Sequence, residues 1–289
     1  MGTCAARANA SGRSWRIGTG LLALISFVLL ASPCFAHEGL HEQIVETTAR
    51  LAKDPRNAGL RLHRAELYRQ HEQWALAATD YDAAQRLAPA LAEVHLGRGQ
   101  MLQAMARLPA AEAQLDAYLA TVPGSVDGHA TRARIRASRG NAAGAAADFD
   151  ATIAARHPSE PEYYLERAQA LASAGQVDAA LAGLDAGRAE LGELVTLGLA
   201  AVELEAGRAN WDAALTRLDR LADGAQRQEA WLSRRGELLM RAGRMDSARQ
   251  AWRDARDAID ALPALRRNTP AMISLRAELD ARLDERPRG

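Results

Sequence analysis

The sequence predicts an all-α fold: a helical solenoid of about six stacked helix pairs, closed by a single capping helix at each end. Two observations carry this expectation. Of 289 residues, 48% are hydrophobic but only 4% are aromatic. Ala and Leu supply the apolar content, a balance that favours helices over a β-sandwich or barrel. Small residues also recur with a fixed period. Ala77, Ala111, Ala145, Ala180, Ala214 and Ala248 follow one another every 34 or 35 residues, and periods of that length mark stacked supersecondary units.

Residues 1–36 read as a cleavable signal peptide. Arg7, Arg13 and Arg16 precede an apolar run from Leu21 to Ala31, and no acidic residue occurs in the segment. The run is about 11 residues, against the roughly 20 that a spanning helix needs. Cys34-Phe35-Ala36 sets small residues at the −3 and −1 positions of a cut after Ala36, as signal peptidase requires. Cleavage removes both cysteines, Cys4 and Cys34, and with them any disulfide, thiolate nucleophile or Cys-based zinc site. It also turns the balance of 36 Lys+Arg against 36 Asp+Glu slightly acidic. Neither form has the basic field of a nucleic-acid binder, and stable membrane insertion after cleavage is not expected.

Residues 37–57 form an N-terminal segment and capping helix, with Ile44, Thr47, Thr48 and Leu51 on one side. Residues 58–263 hold the six repeats. Four residues after each periodic alanine comes a large apolar group: Tyr81, Leu115, Phe149, Leu184, Leu218 and Trp252. Twelve residues before most of the periodic alanines stands a second small residue, at Ala65, Gly99, Ala133, Ala168, Ala201 and Gly236. Antiparallel helices approach to about 8 Å only where small residues meet at the crossing, and the bulky residue one turn on fills the groove so made. One such pair cannot bury its apolar face, so pairs stack. Gly140, Gly175, Gly207 and Gly243 supply turns within the pairs, and Pro89, Pro123, Pro158 and Pro263 close four of them, since proline cannot continue a helix. Residues 264–289 make the C-terminal cap. Thr269-Pro270 is an N-cap and N1 pair, and Met272, Leu275, Leu279 and Leu283 form its apolar stripe.

These residues resemble the tetratricopeptide repeat (TPR) family. Residues 58–91 read AGLRLHRAELYRQHEQWALAATDYDAAQRLAPAL, with small Ala65, aromatic Tyr68, Trp74 before Ala77, then Tyr81, Ala84 and Pro89. The unit from 194 to 228 departs furthest, with an extra residue near Gly207 and no closing proline. The resemblance implies a right-handed superhelix of the exported bacterial type, whose concave groove, lined by the first helix of each pair, takes a protein or peptide. Counted along each unit, the groove residues would be Leu62, Glu66, Arg69, Glu93, Leu96, Gln100, Gln103, Asp127, Arg134, Glu162, Leu165, Gln169, Glu205, Glu237 and Arg241. Leu62, Leu96 and Leu165 make an apolar strip. Acids outnumber arginines, which points to a partner with apolar anchors and a modest basic bias. The chaperone-binding TPR clamp is absent, because Leu62 and Glu66 stand where its Lys and Asn would fall.

Other chemistry is sparse. His37-Glu38-Gly39-Leu40-His41 matches the zinc-protease pattern HExxH, but no catalytic fold follows it and no third ligand is evident. A cut after Ala36 would make His37 the mature N-terminus. An N-terminal His with a second His nearby resembles the copper-binding histidine brace of lytic polysaccharide monooxygenases, and His37 and His41 together suit Cu or Zn. His95 and His129 occupy equivalent repeat positions and read as interface histidines. The leading expectation is therefore a non-enzymatic periplasmic or secreted scaffold that needs no cofactor. The alternative is an envelope metal-binding accessory protein using His37 and His41.

Overall fold

The computed structural model describes residues 32–284, so most of the expected signal peptide, residues 1–31, lies outside the described residues. Among those described, the chain is wholly helical. Helix α1 runs Ser32–Lys53, so a cut after Ala36 would fall within its first turns. Six antiparallel pairs follow: α2 (Ala58–Gln70) with α3 (Trp74–Leu87), α4 (Glu93–Ala104) with α5 (Leu108–Thr121), α6 (Val126–Ser138) with α7 (Ala142–Ala155), α8 (Pro161–Ser173) with α9 (Val177–Leu191), α10 (Val195–Gly207) with α11 (Trp211–Ala222), and α12 (Glu229–Arg241) with α13 (Met245–Asp260). A short α14 (Ala264–Arg267) leads to α15 (Pro270–Asp284).

Local chemistry starts and stops these helices. Asn57 Oδ1 accepts the Leu60 amide at 2.9 Å, and Ser125 Oγ and Asn141 Oδ1 cap α6 and α7 in the same way at 3.0 Å, each satisfying a donor that a helix start leaves orphaned. Within the pairs, Gly140, Gly175 and Gly243 take the left-handed backbone at φ 79°, 77° and 74°, which glycine adopts without steric cost. The fifth pair differs from expectation. Gly207 is the last residue of α10, and Ala209, at φ 58°, makes the turn instead. Ala209 lies 34 residues from both Gly175 and Gly243, so the turn keeps the register of the repeat and Gly207 falls two residues before it. Glu72 and Ala106 occupy the same strained region in the first two pairs, at φ 57° and 56°.

The core is a row of linked clusters along the stack. Every small residue at a crossing is buried, as is the bulky residue one turn on: Tyr81, Leu115, Phe149, Leu184, Leu218 and Trp252 are each at most 2% exposed. Each such burial stabilises by about 1.5–3 kcal/mol. The crossings leave no spare room. A Cβ built on Gly99 would overlap Leu115 Cδ2, and one on Gly236 would fall 2.8 Å from Trp252 Cε2 and nearer still to its Nε1 and Cδ1. At the ends, Ile44, Thr47 and Leu51 of α1 are buried, while Met272 and Leu279 of α15 join the cluster around Trp252, with Leu275 and Leu283 packed beside them.

A polar register runs beside this core. The residue before the crossing position is Arg in five of the six repeats: Arg64, Arg98, Arg132, Arg167 and Arg235. Four of these arginines reach back to an aspartate on the preceding pair: Arg98 to Asp82, Arg132 to Asp116 at 2.8 Å, Arg167 to Asp150 at 2.5 Å, and Arg235 to Asp219. Arg64 reaches Thr48 of α1 at 3.0 Å, and Arg276 of α15 reaches Asp260. The fifth repeat has no arginine there, and Asp185 is taken instead by Arg217 from α11, at 2.8 and 2.9 Å. Half-exposed pairs of this kind contribute about 0–1 kcal/mol each, so their periodicity fixes how successive pairs sit more than how strongly they hold.

Two aspartates go deeper. Asp80 is buried against Arg61 at 2.9 Å and Arg64 at 2.6 Å, and Asp148 against Arg132 at 2.6 Å and Arg136 at 2.9 Å. His129 completes the second cluster through Nδ1 at 3.4 Å, and His95 makes the equivalent contact to Gln114 at 2.9 Å. Both histidines are thus occupied in packing one helix of a pair against the other.

Gly236→Val is expected to lower stability by about 2 kcal/mol or more through overpacking against Trp252, whereas Ala209→Gly, which relieves a left-handed alanine, is expected to raise it by a few tenths to about 1 kcal/mol; urea unfolding of each variant reads both signs. The pH dependence follows from the ion pairs. Arg136 and Arg217 hydrogen bonds hold Glu112 and Asp185 below the ordinary carboxylate range. Their stabilisation is present above the unfolded pKa, near pH 4, and is lost as pH falls through the folded values. The melting temperature should stay level through neutrality and drop below about pH 4.

Candidate functional site

The first helices of successive pairs meet one another, α2 with α4, α4 with α6 and α8 with α10, and the second helices do not meet to the same extent. The first helices therefore line the inner face of the stack, and the residues expected there from the sequence fall into three bands along them. Near the helix starts, Glu93, Asp127 and Glu162 are exposed. Next come Leu62, Leu96 and Leu165, each half-buried. Beyond them lie the longer polar side chains.

Most of those polar side chains are already committed to one another. Glu66 accepts the Tyr81 hydroxyl at 2.5 Å and Arg69 Nε at 2.8 Å. Arg134 donates to both oxygens of Glu166, at 3.1 and 3.0 Å, and stacks over Tyr163 with its guanidinium carbon 5.9 Å from the ring centre. Arg241 pairs with Glu203 at 2.9 Å and lies over Trp211 at 5.7 Å. Glu237 accepts from Arg282 of the capping helix at 2.8 Å. Gln100 and Gln103 are half-buried, and Gln169 is exposed.

One expected groove residue belongs elsewhere. Glu205 is 4% exposed and accepts Arg208 Nε at 2.8 Å and Asn210 Nδ2 at 3.0 Å. It anchors the turn that follows α10 instead of facing a ligand. Glu166 and Glu203 were missed because their cations lie 32 and 38 residues away in sequence, and no local pattern marks such a pairing.

Two of the expected residues, Arg134 and Gln169, come together at a cavity of about 450 Å³ between α6 and α8. Ala137, Ala142, Phe149 and Ala170 give it an apolar lining, Ser138 and Ser173 stand at its edge, and Arg134 and Glu166 lie across it. A recessed, largely apolar surface with a few directed polar groups is the ordinary form of an anchor site for a ligand side chain.

For the alternative metal site, His41 is exposed on α1, and the side chain of His37 lies outside the described ones. Among the described residues no group of three or more His, Cys, Asp or Glu could hold a metal ion. Among them, too, no helix is long and apolar enough to cross a membrane.

No protein-family profile and no curated protein matches the sequence. Solved structures match its shape. The C-terminal part of a TPR repeat-containing protein from Cytophaga hutchinsonii superposes with a TM-score of 0.62 at 16% identity, over 83% of this chain and 96% of that one. A tetratricopeptide repeat protein from Parabacteroides merdae gives 0.51 at 15% identity, over 85% and 94%. A structure of Naa15/Naa10 bound to HypK-THB gives 0.52 at 16% identity, over 86% of this chain and 37% of that one. The chain has the tetratricopeptide-repeat fold.

Glu205→Ala is expected to cost about 2–4 kcal/mol in urea unfolding, because it strands Arg208 and Asn210 beside a buried site. An unchanged unfolding midpoint would return Glu205 to the list of solvated groove residues.

Proposed function

We propose that this protein is an exported, non-enzymatic interaction scaffold whose inner face holds an extended protein or peptide segment at the third and fourth helix pairs. The observation that carries this reading is the cavity over Phe149, since Arg134, Glu166 and Gln169 meet there beside an apolar surface. Docking at such a site draws its strength from burying an apolar anchor and its orientation from the polar edge. The strip of Leu62, Leu96 and Leu165 extends the apolar surface along the same face. Export is supported by the arginines, short apolar run and Cys34-Phe35-Ala36 of residues 1–36, which place the working protein in the periplasm or outside the cell.

The test is site-directed photocrosslinking in the full chain expressed in its own envelope. A crosslinker at Gln169, on the inner face, should give a discrete adduct that an outer-face crosslinker at Gln250 does not. Equal labelling from both positions, or none from Gln169, contradicts the groove. Mass spectrometry of the same material should find His37 as the first residue, and retention of residues 1–36 contradicts the cleavage.

A further inference from the structure

The charges on the inner face divide into two groups. Those far along the helices neutralise one another: Glu66 with Arg69, Glu166 with Arg134, Glu203 with Arg241, and Glu237 with Arg282. Glu93, Asp127 and Glu162 are different. All three are exposed, and none has a hydrogen-bond or ion-pair partner among the described residues. They occupy the same position in three successive repeats, in the first turns of α4, α6 and α8, where the helix N-terminus favours the charged carboxylate. Arginine on this stretch of the face is already engaged, so the net uncompensated charge is negative.

Asp127 and Glu162 stand at the starts of the two helices, α6 and α8, whose later turns line the cavity. Burial and then a Glu160 hydrogen bond raise the Tyr163 phenol, and the charge of Asp127 adds to both effects. Tyr163 lies under Arg134, and Arg134 bonds Glu166 at the cavity. An aromatic ring, an ion pair and an apolar cavity thus follow one another along the same two helices that carry Asp127 and Glu162 at their starts.

We infer that the occupant of this groove is a basic segment: an extended stretch of a partner protein with an apolar side chain in the cavity over Phe149 and Lys or Arg side chains against Asp127 and Glu162. This rests on the reading of the inner face as a docking groove and specifies what docks there. An acidic segment would face three carboxylates that have no ion-pair partner among the described residues. A neutral one would dehydrate those carboxylates without pairing them, at a cost in free energy. A basic one neutralises them and gains in association rate from their field.

The experiment measures binding of synthetic extended peptides by fluorescence anisotropy with the full mature chain. The probes carry Leu or Phe flanked by Arg, with Glu-flanked and Ser-flanked counterparts. The Arg-flanked peptides should bind most tightly and weaken as salt rises. Asp127→Asn with Glu162→Gln should weaken them about fivefold to tenfold, as expected for two exposed pairs, and leave Ser-flanked peptides unchanged. Ser173→Phe, an exposed position at the cavity edge, should weaken every peptide that binds. Thermal melts confirm that the variants fold. If Glu-flanked peptides bind as well as Arg-flanked ones, or the double variant binds as the parent does, the basic occupant is overturned while a Ser173→Phe effect keeps the groove. If no peptide binding responds to Ser173→Phe, the groove reading falls with it.

Discussion

Everything in this molecule depends on how closely two helices approach within each pair. Ala65, Gly99, Ala133, Ala168, Ala201 and Gly236 are buried at the crossings, and each lets a Tyr, Leu, Phe or Trp from the partner helix fill the space alongside. Because interiors are close-packed, enlarging any one of these residues displaces the large group opposite it. The same spacing sets the pitch of the stack, and with it the distance between successive first helices. The inner face takes its shape from that pitch. Its cavity lies between α6 and α8, over Phe149, which is the bulky residue of the third crossing.

The charges contribute order more than strength. Recurrent Arg–Asp contacts between neighbouring pairs repeat at one position of the unit, and buried Asp80 and Asp148 each collect two arginines. A buried carboxylate is tolerated because its partners satisfy it, and removing one of them is far costlier than any exposed pair is worth. Where the fifth repeat lacks that arginine, Arg217 covers the aspartate from a different helix. That is also the unit whose left-handed turn residue is an alanine, Ala209, where its neighbours have Gly175 and Gly243.

Helices, crossings and caps could be read from sequence because they rest on local spacing: alanines at a fixed period, a bulky residue four places on, proline after the pair. The Arg–Asp register was equally present, as an arginine before five of the six crossing residues, yet attention to apolar periodicity passes over it. Glu205 was misplaced on the inner face because the fifth unit was counted from Leu194, whereas α10 starts at Val195 and sets Glu205 34 residues from Leu171 and Leu239, both buried packing positions. The pairings of Arg134 with Glu166 and Arg241 with Glu203 join different repeats, so they follow from the geometry of stacking and not from spacing along one helix. What distinguishes Glu93, Asp127 and Glu162 from the other acids is the absence of such a partner among the described residues, a three-dimensional fact.

The account's central claim is that the inner face at the third and fourth pairs is where a partner segment docks. Hydrogen–deuterium exchange of the full mature chain, with and without a saturating Arg-flanked, Leu-containing peptide, tests it most directly. Amide protection is expected to rise in residues 126–138 and 161–173 and to remain unchanged in residues 211–222 and 245–260. Protection confined to those latter segments, or none in the former at saturation, would contradict the claim.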